Sequence, residues 1–399
     1  MISFRAVLIV GTAFCLYGLL YAYLARRLLG PWRRATALRR FLWCVLLIAA
    51  PISLLGWFAG RLFDRSIWTI SLQWVGLSIM GWFYISLVVV TVRDVGLWLF
   101  RTLRKDATPP PSKAEATGMS RRAFLQKTTS VAVAASAAGV SSYGIRSARK
   151  TAALKYVEIP IANLHQDLDG FVILQLSDIH VGDTIGRRYV ERIVARCKEV
   201  KADLIAITGD LVDGDVDELR HDVAPIFELS AEHGVYFVTG NHEYYVDALS
   251  WIEHLRANQV DVLLDEHRVI QRGEGKLILG GITDYSAPTM VKRHTSDPHK
   301  AFEGAPKDGT RVLLAHQPRS YTQTRGLQID LQLSGHTHGG QIWPFTYLVL
   351  FQQPFIAGLH RVWDSTWLYI SRGTGYWGPP MRVASPSEIT VITLRKASE

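Results

Sequence analysis

At 399 residues, 48% of them hydrophobic, the chain is too long for one typical domain of about 100–200 residues, which excludes a single globular core. Its net charge of +9 invites a nucleic-acid partner, but residues 1–150 carry +16 and the remainder −7, so the C-terminal part offers no overall basic footprint. The three cysteines, Cys15, Cys44 and Cys197, have no paired spacing, which excludes a disulfide framework or a thiolate metal site.

Residues 4–25, 41–60 and 67–92 are apolar runs, each long enough to cross a hydrocarbon core of about 30 Å, which takes about 20 helical residues. Trp43, Trp57, Trp68, Trp74 and Trp82 add the aromatic bias of membrane interfaces. Arg26, Arg27, Arg33, Arg34, Arg39 and Arg40 lie between the first two runs with no acidic residue, which keeps that loop cytoplasmic. The third span then returns Arg101, Arg104 and Lys105 to the same side, as the same rule favours. Residues 1–105 therefore read as a three-helix transmembrane region in contact with membrane lipid.

Residues 106–119 (DATPPPSKAEATGM) read as a linker, because a proline run among small polar residues buries too little apolar surface to fold. In residues 120–150, Ser120-Arg121-Arg122-Ala123-Phe124-Leu125-Gln126 precedes a mildly apolar stretch rich in Ala, Val and Ser. This is similar to a twin-arginine export signal and implies the matching translocation machinery as partner; the alternative is a fourth transmembrane helix. Either reading places everything beyond it on the periplasmic or extracytoplasmic side of a bacterial cytoplasmic membrane.

From residue 155 the pattern changes. Runs of strand length at 172–176, 204–208, 235–239, 276–279, 312–315 and 330–333 alternate with helical periodicity at 187–200 and 246–257. Residues 151–399 thus form an α/β domain with a largely buried sheet.

The polar residues of interest follow those strands: Asp178-Ile179-His180, Gly209-Asp210-Leu211-Val212-Asp213, Gly240-Asn241-His242-Glu243, His316, and Gly335-His336-Thr337-His338. A carboxylate or imidazole at the end of a buried strand is costly without a partner, and one shared metal centre would satisfy all five exits. Carboxylate oxygen with imidazole nitrogen suits Mn, Fe or Zn rather than Ca or a thiolate-bound ion.

Together these pieces resemble the calcineurin-like metallophosphoesterase signature, D-x-H, G-D-x-x-D, G-N-H-E, H and G-H-x-H, with every position filled between about residues 156 and 394. The resemblance implies a metallophosphoesterase-type β-sandwich flanked by helices, with two divalent metal ions. It implies a first metal held by Asp178, His180, Asp210 and His338, and a second held by Asp210, Asn241, His316 and His336. Asp210 bridges, and two cations about 3.5–4 Å apart supply activated water and neutralise phosphoryl charge. His242, not a ligand in the family, is the candidate general acid or transition-state donor. Asp213 and Glu243 are expected to orient ligands.

Gly339-Gly340-Gln341-Ile342 and Ser371-Arg372-Gly373-Thr374-Gly375-Tyr376 look like the closing segments of a bacterial, exported, membrane-associated subgroup. Arg372 is a candidate phosphate-orienting residue, or equally a surface arginine. The apolar segment from Trp343 to Phe351 reads first as core, with an acyl pocket or lipid contact as the alternative. The expected activity is hydrolysis, most naturally phosphodiester hydrolysis, of envelope or lipid-linked phosphoesters. The rivals are an exported nuclease or nucleotide phosphoesterase, and a non-catalytic metal-stabilised module at the membrane surface.

Overall fold

The computed structural model describes the backbone of residues 4–32, 36–103, 121–363 and 366–397, with side chains at 4–10, 13, 36, 101 and 121–123 left aside. The expected linker at 106–119, with Arg104, Lys105 and Ser120, lies outside the described residues. Two compact units emerge, one of residues 1–145 with 378–380 and the other of 146–377 with 381–399.

The first unit is helical: α1 (Phe4–Leu29), α2 (Thr36–Leu62), α3 (Ile67–Leu103) and most of α4 (Arg121–Arg149). Among the described residues, two helices are long and apolar enough to cross a membrane, within Ala37–Leu62 and Ile67–Phe100. The third helix runs well past the apolar run read from sequence. Asp94 is satisfied inside the unit by Tyr23 Oη at 2.7 Å, Arg27 at 2.6 Å and Arg93 at 2.9 Å, so charge at this point need not end the helix. Within the expected segment 120–150, Arg121–Arg149 form one helix, which is not among the two candidate spans.

The second unit is a two-sheet sandwich. The first sheet has the order β1 (Ala153–Ile161), β12 (Glu388–Lys396), β2 (Val172–Leu176), β3 (Leu204–Ile207), β4 (Val235–Phe237) and β5 (Asp261–Val262). The second has the order β10 (Gly358–Val362), β11 (Thr366–Ile370), β9 (Leu331–Ser334), β8 (Thr310–Leu314), β7 (Gly275–Gly281) and β6 (Glu266–Arg272). Both are mixed, with β2, β3 and β4 parallel in one and β7, β8, β9 and β11 parallel in the other.

The uninterrupted apolar runs follow from burial on both faces. In β3, Leu204 and Ala206 point into the core between the sheets, while Ile205 and Ile207 point to the outer layer. That layer is built with α5 (Arg187–Cys197), α6 (Val216–Val223) and α8 (Ala248–Ala257) through Ile193, Leu219 and Trp251. In β8, Val312 and Leu314 face the inter-sheet core and Leu313 the far side. The sandwich flanked by helices expected from sequence is the architecture found.

The sequence pattern assigns no run to β1, β5, β6, β10, β11 or β12. β12 lies between β1 and β2 and feeds both cores, Val391 outward and Ile392 inward, so the last strand of the chain completes the sheet begun by the first. Leu279, fully buried between the sheets, measures the sandwich's dependence on this packing. Leu279→Ala is expected to cost about 2–5 kcal/mol, seen as a lower thermal unfolding midpoint of the full-length protein in detergent.

Candidate metal centre

The strand ladders continue beyond the strands as paired loops and bring the polar residues together. Leu176 of β2 is opposite Ile207 of β3; beyond them Asp178 N–H donates to the Gly209 carbonyl at 3.0 Å and His180 N–H to the Asp210 carbonyl at 3.1 Å. In the second sheet, Gly335 N–H donates to the His316 carbonyl at 2.9 Å. Buried Gln175 joins the sheets beneath the site, its Nε2 donating to Thr208 Oγ1 and to the Ser334 carbonyl, both at 3.0 Å. From β4 the chain passes through Gly240 into α7 (Asn241–Tyr245), which carries Asn241, His242 and Glu243.

Three sets of side chains converge: Asp178, His180 and His338; His180, Asp210 and His242; Asp210, His316 and His336. Within each set the donor atoms lie within 4.8 Å of one another. His180 Nε2 is 3.0 Å from His338 Nε2, and His338 Nε2 is 3.5 Å from Asp178 Oδ1. At the other end, His316 Nε2 is 3.2 Å from His336 Nδ1. Asp210 lies between: its Oδ2 is 3.1 Å from His316 Nε2 and 3.8 Å from His180 Nε2.

Three tautomers are set by the surroundings. His316 Nδ1–H donates to the Thr208 carbonyl at 2.8 Å, which leaves Nε2 facing Asp210 and His336. Asp213 Oδ1 accepts from His180 Nδ1 at 3.0 Å and from His242 Nδ1 at 2.6 Å, so one oxygen orients both imidazoles. Asn241 Oδ1 is buried without a hydrogen-bond partner among the described residues, an arrangement that costs free energy until a cation or donor meets it. Carboxylates, outward-facing imidazole nitrogens and this carbonyl oxygen together fit divalent metal ions.

Electrostatics agree. Burial, then His180 and Arg382, hold the His338 imidazole neutral far below its ordinary range. Burial, then His316 and, against the pull of Asp210, the charge of Arg319 push His336 down to about 3. Burial disfavours the Asp210 carboxylate, but His316, His242 and His180 outweigh it and hold its proton affinity well below the usual. Burial alone would lower His242; Asp210 and Asp213 prevail and raise it to about 9. One imidazole at each end, His338 and His336, is thus held neutral beside ionised Asp210. At His316 burial is outweighed by Asp210, which raises it well above its ordinary range, and burial raises Asp178, so both release a proton as metal binds.

The backbone is bent to deliver these groups. Asp178 (φ 53°), His180 (54°), Asp210 (51°), His336 (69°) and His338 (51°) all occupy the left-handed region, where non-glycine residues cost of order 1–3 kcal/mol each. Glu243 supports this geometry: its carboxylate accepts the backbone N–H groups of Asp210, Leu211, Val212 and Gly240 at 2.6–3.3 Å. Gly240 is required by close approach, since a Cβ there would collide with the Asp210 carboxylate.

Arg372 is placed differently from the other candidates. Its Nη1 pairs with the buried Glu388 carboxylate at 3.2 Å, which Tyr369 Oη also meets at 2.7 Å. A residue absent from the sequence reading, Arg382, is fully buried behind the centre. Its guanidinium donates to the carbonyls of Gly375, Ser385, Arg372 and His338, and Nη2 lies 3.4 Å from His338 Nδ1. Backbone carbonyls are partners that no sequence pattern advertises. The segment Phe345–Phe351 is not core: none of its residues is buried, and Phe351 is 86% exposed.

Residues 171–340 match the calcineurin-like phosphoesterase family. An uncharacterised metallophosphoesterase of Aquifex aeolicus is 30% identical over 226 residues, covering 56% of this chain and 84% of its own. The chain belongs to the calcineurin-like metallophosphoesterase family. A "transmembrane protein with metallophosphoesterase domain" of Danio rerio is 40% identical over 262 residues, 64% of this chain and 60% of that protein. Its Bos taurus counterpart is 38% identical, and this metallophosphoesterase again spans about three fifths of the relative's length, 60%. Among solved structures, a dimetal phosphatase from Danio rerio is similar with a TM-score of 0.35 and 12% identity over 56% of this chain.

Asp213→Asn removes the negative charge from the shared acceptor of His180 and His242 while keeping its size. The variant is expected to bind Mn or Zn about 10–100-fold more weakly than the wild-type metallophosphoesterase, as measured by competition with a chromogenic chelator.

Proposed function

We propose that the chain is a binuclear metal-dependent phosphoester hydrolase, anchored in a bacterial cytoplasmic membrane by its N-terminal helices and acting on envelope or lipid-linked phosphoesters at the outer face. The observation that carries the reading is the meeting of Asp178, His180, Asp210, His316, His336 and His338 around one point, with Asn241 Oδ1 buried beside them and unpartnered. One ion falls to Asp178, His180, Asp210 and His338, the other to Asp210, Asn241, His316 and His336, and the donor types favour Mn, Fe or Zn. When bound, such ions supply water of lowered pKa and neutralise phosphoryl charge.

The chain's own residues do the rest. Asp210 sits between the two ends and holds them in register. Its Oδ1 accepts the His242 backbone N–H at 2.9 Å, so His242 is fixed to the bridging carboxylate by its main chain and to Asp213 by Nδ1. His242 Nε2 remains to donate a proton to the leaving oxygen. The mouth beside it is aromatic: the His242 ring lies 5.1 Å from Tyr245 and 5.5 Å from Trp377, both exposed. That surface, with the net −7 of residues 151–399, favours an apolar-tailed phosphoester over a polynucleotide.

Residues 1–105 are assigned to anchoring, 106–119 to a linker, 120–150 to a twin-arginine-like signal or further span, and 151–399 to hydrolysis. The paired arginines at 121–122 and the arginine-rich loop between the first two apolar runs support export of the hydrolytic part.

Full-length protein purified in detergent is expected to carry two equivalents of transition metal by elemental analysis and to hydrolyse a lipid phosphodiester but not single-stranded DNA. Asp210→Asn should lose both metals. His242→Ala should keep them and lower kcat about 10²–10⁴-fold. Full metal content with no hydrolysis of any phosphoester would defeat the reading. For sidedness, a fluorescent protein that matures only in the cytoplasm, fused after Glu399, is expected to stay dark; a bright signal would reverse the orientation.

A further inference from the structure

The residue after His316 is the root of a buried scaffold. Gln317 is 2% exposed, and both ends of its carboxamide are committed. Its Nε2 donates to the two oxygens of buried Asp284, each at 3.0 Å, and its Oε1 accepts from Gln353 Nε2 at 3.1 Å and from Arg319 Nε at 2.8 Å. Asp284 is fixed in turn by Ser286 N–H at 2.8 Å, and its own N–H donates at 3.2 Å to Thr239 Oγ1, two residues before Asn241. The scaffold therefore stands against the His316 and Asn241 side of the metal centre.

What this scaffold holds is the Arg319 guanidinium. Its carbon lies 4.1 Å from the centroid of the Tyr285 ring, and the Arg319 backbone N–H donates to Gln353 Oε1 at 3.1 Å. The ring face and the single Nε bond fix the plane of the fork. The terminal nitrogens Nη1 and Nη2 have no acceptor, and no carboxylate pairs with Arg319, among the described residues. Of the two other arginines near the site, Arg382 is spent on backbone carbonyls, and Arg372 is tied through Nη1 to the buried Glu388 carboxylate. An oriented guanidinium with both terminal nitrogens open is matched to the paired oxygens of a phosphoryl group.

We propose that Arg319, positioned by Gln317 and Tyr285, binds an anionic phosphoryl oxygen of the substrate beside the His316 and His336 end of the centre. This rests on the phosphoesterase reading and adds a substrate anchor that the family signature does not contain. The contact exists before and during the reaction, so it acts mainly on KM.

The test uses full-length, metal-loaded protein in detergent, with inorganic phosphate as the probe in isothermal titration calorimetry and elemental analysis alongside. Arg319→Gln is expected to bind phosphate about 10–100-fold more weakly and to raise KM similarly, with kcat moving less and metal content unchanged. Arg319→Lys, which keeps the charge and loses the fork, should recover only part of the affinity. Arg268→Gln, at a surface cluster with Asp261 and Glu266, serves as the charge control and should bind phosphate as the wild type does. Wild-type phosphate affinity in Arg319→Gln, or equal weakening in Arg268→Gln, would overturn the assignment of Arg319 alone. No phosphate binding by the metal-loaded wild type would overturn it together with the phosphoesterase reading.

Discussion

Burying ionisable groups at the ends of apolar strands is the constraint from which the catalytic unit follows. β2, β3, β8 and β9 are covered on both faces and pass directly into aspartate or histidine, where water is excluded. Such groups are tolerated only if each is satisfied, and the protein satisfies most of them internally. Glu243 takes four backbone N–H groups, Thr208 takes His316 Nδ1, and Asp213 takes two imidazoles. What is left over, chiefly Asn241 Oδ1 and the nitrogens facing Asp210, points to one place. Cation binding is the remaining half of an otherwise closed polar network.

The site depends on both sheets equally. Asp178, His180, Asp210 and Asn241 come from the first, His316, His336 and His338 from the second, and neither half contains a complete donor set. Their registration is held below by Gln175, which spans the sheets, and behind by Arg382, which ties the loop after β11 to His338. Packing between the sheets is thus also what sets the separation of the two ends of the centre. Sandwich stability and site geometry share the same side chains.

Much of this was legible in the chain because strand and ligand are adjacent: an apolar run ending in Asp-x-His or Gly-Asp-x-x-Asp announces element, exit and donor together. Two of the apolar N-terminal runs were equally plain, and the helices within Ala37–Leu62 and Ile67–Phe100 are long and apolar enough to cross a membrane. The supporting residues were not. Arg382 binds carbonyls, Gln317 binds through an amide, and Arg319 is defined by what it does not pair with; none of these leaves a periodic or spaced trace. The apolar segment after His338 misled for a related reason: hydrophobicity reports a preference for burial, and Phe351, exposed at 86%, shows that the domain alone does not supply it. Strand β10 forms one edge of its sheet, where half-burial blurs the apolar run that marks a central strand.

The left-handed backbone at Asp178, His180, Asp210, His336 and His338 imposes a second requirement on the same five letters. Steric tolerance of that conformation admits glycine readily and asparagine, aspartate and histidine with modest penalty, and turns away branched and bulky side chains. Coordination chemistry independently admits aspartate, histidine and a few other donors. The overlap of the two alphabets is almost exhausted by the residues present, so these positions have very little neutral sequence space, and drift in this protein is channelled to the surfaces around them.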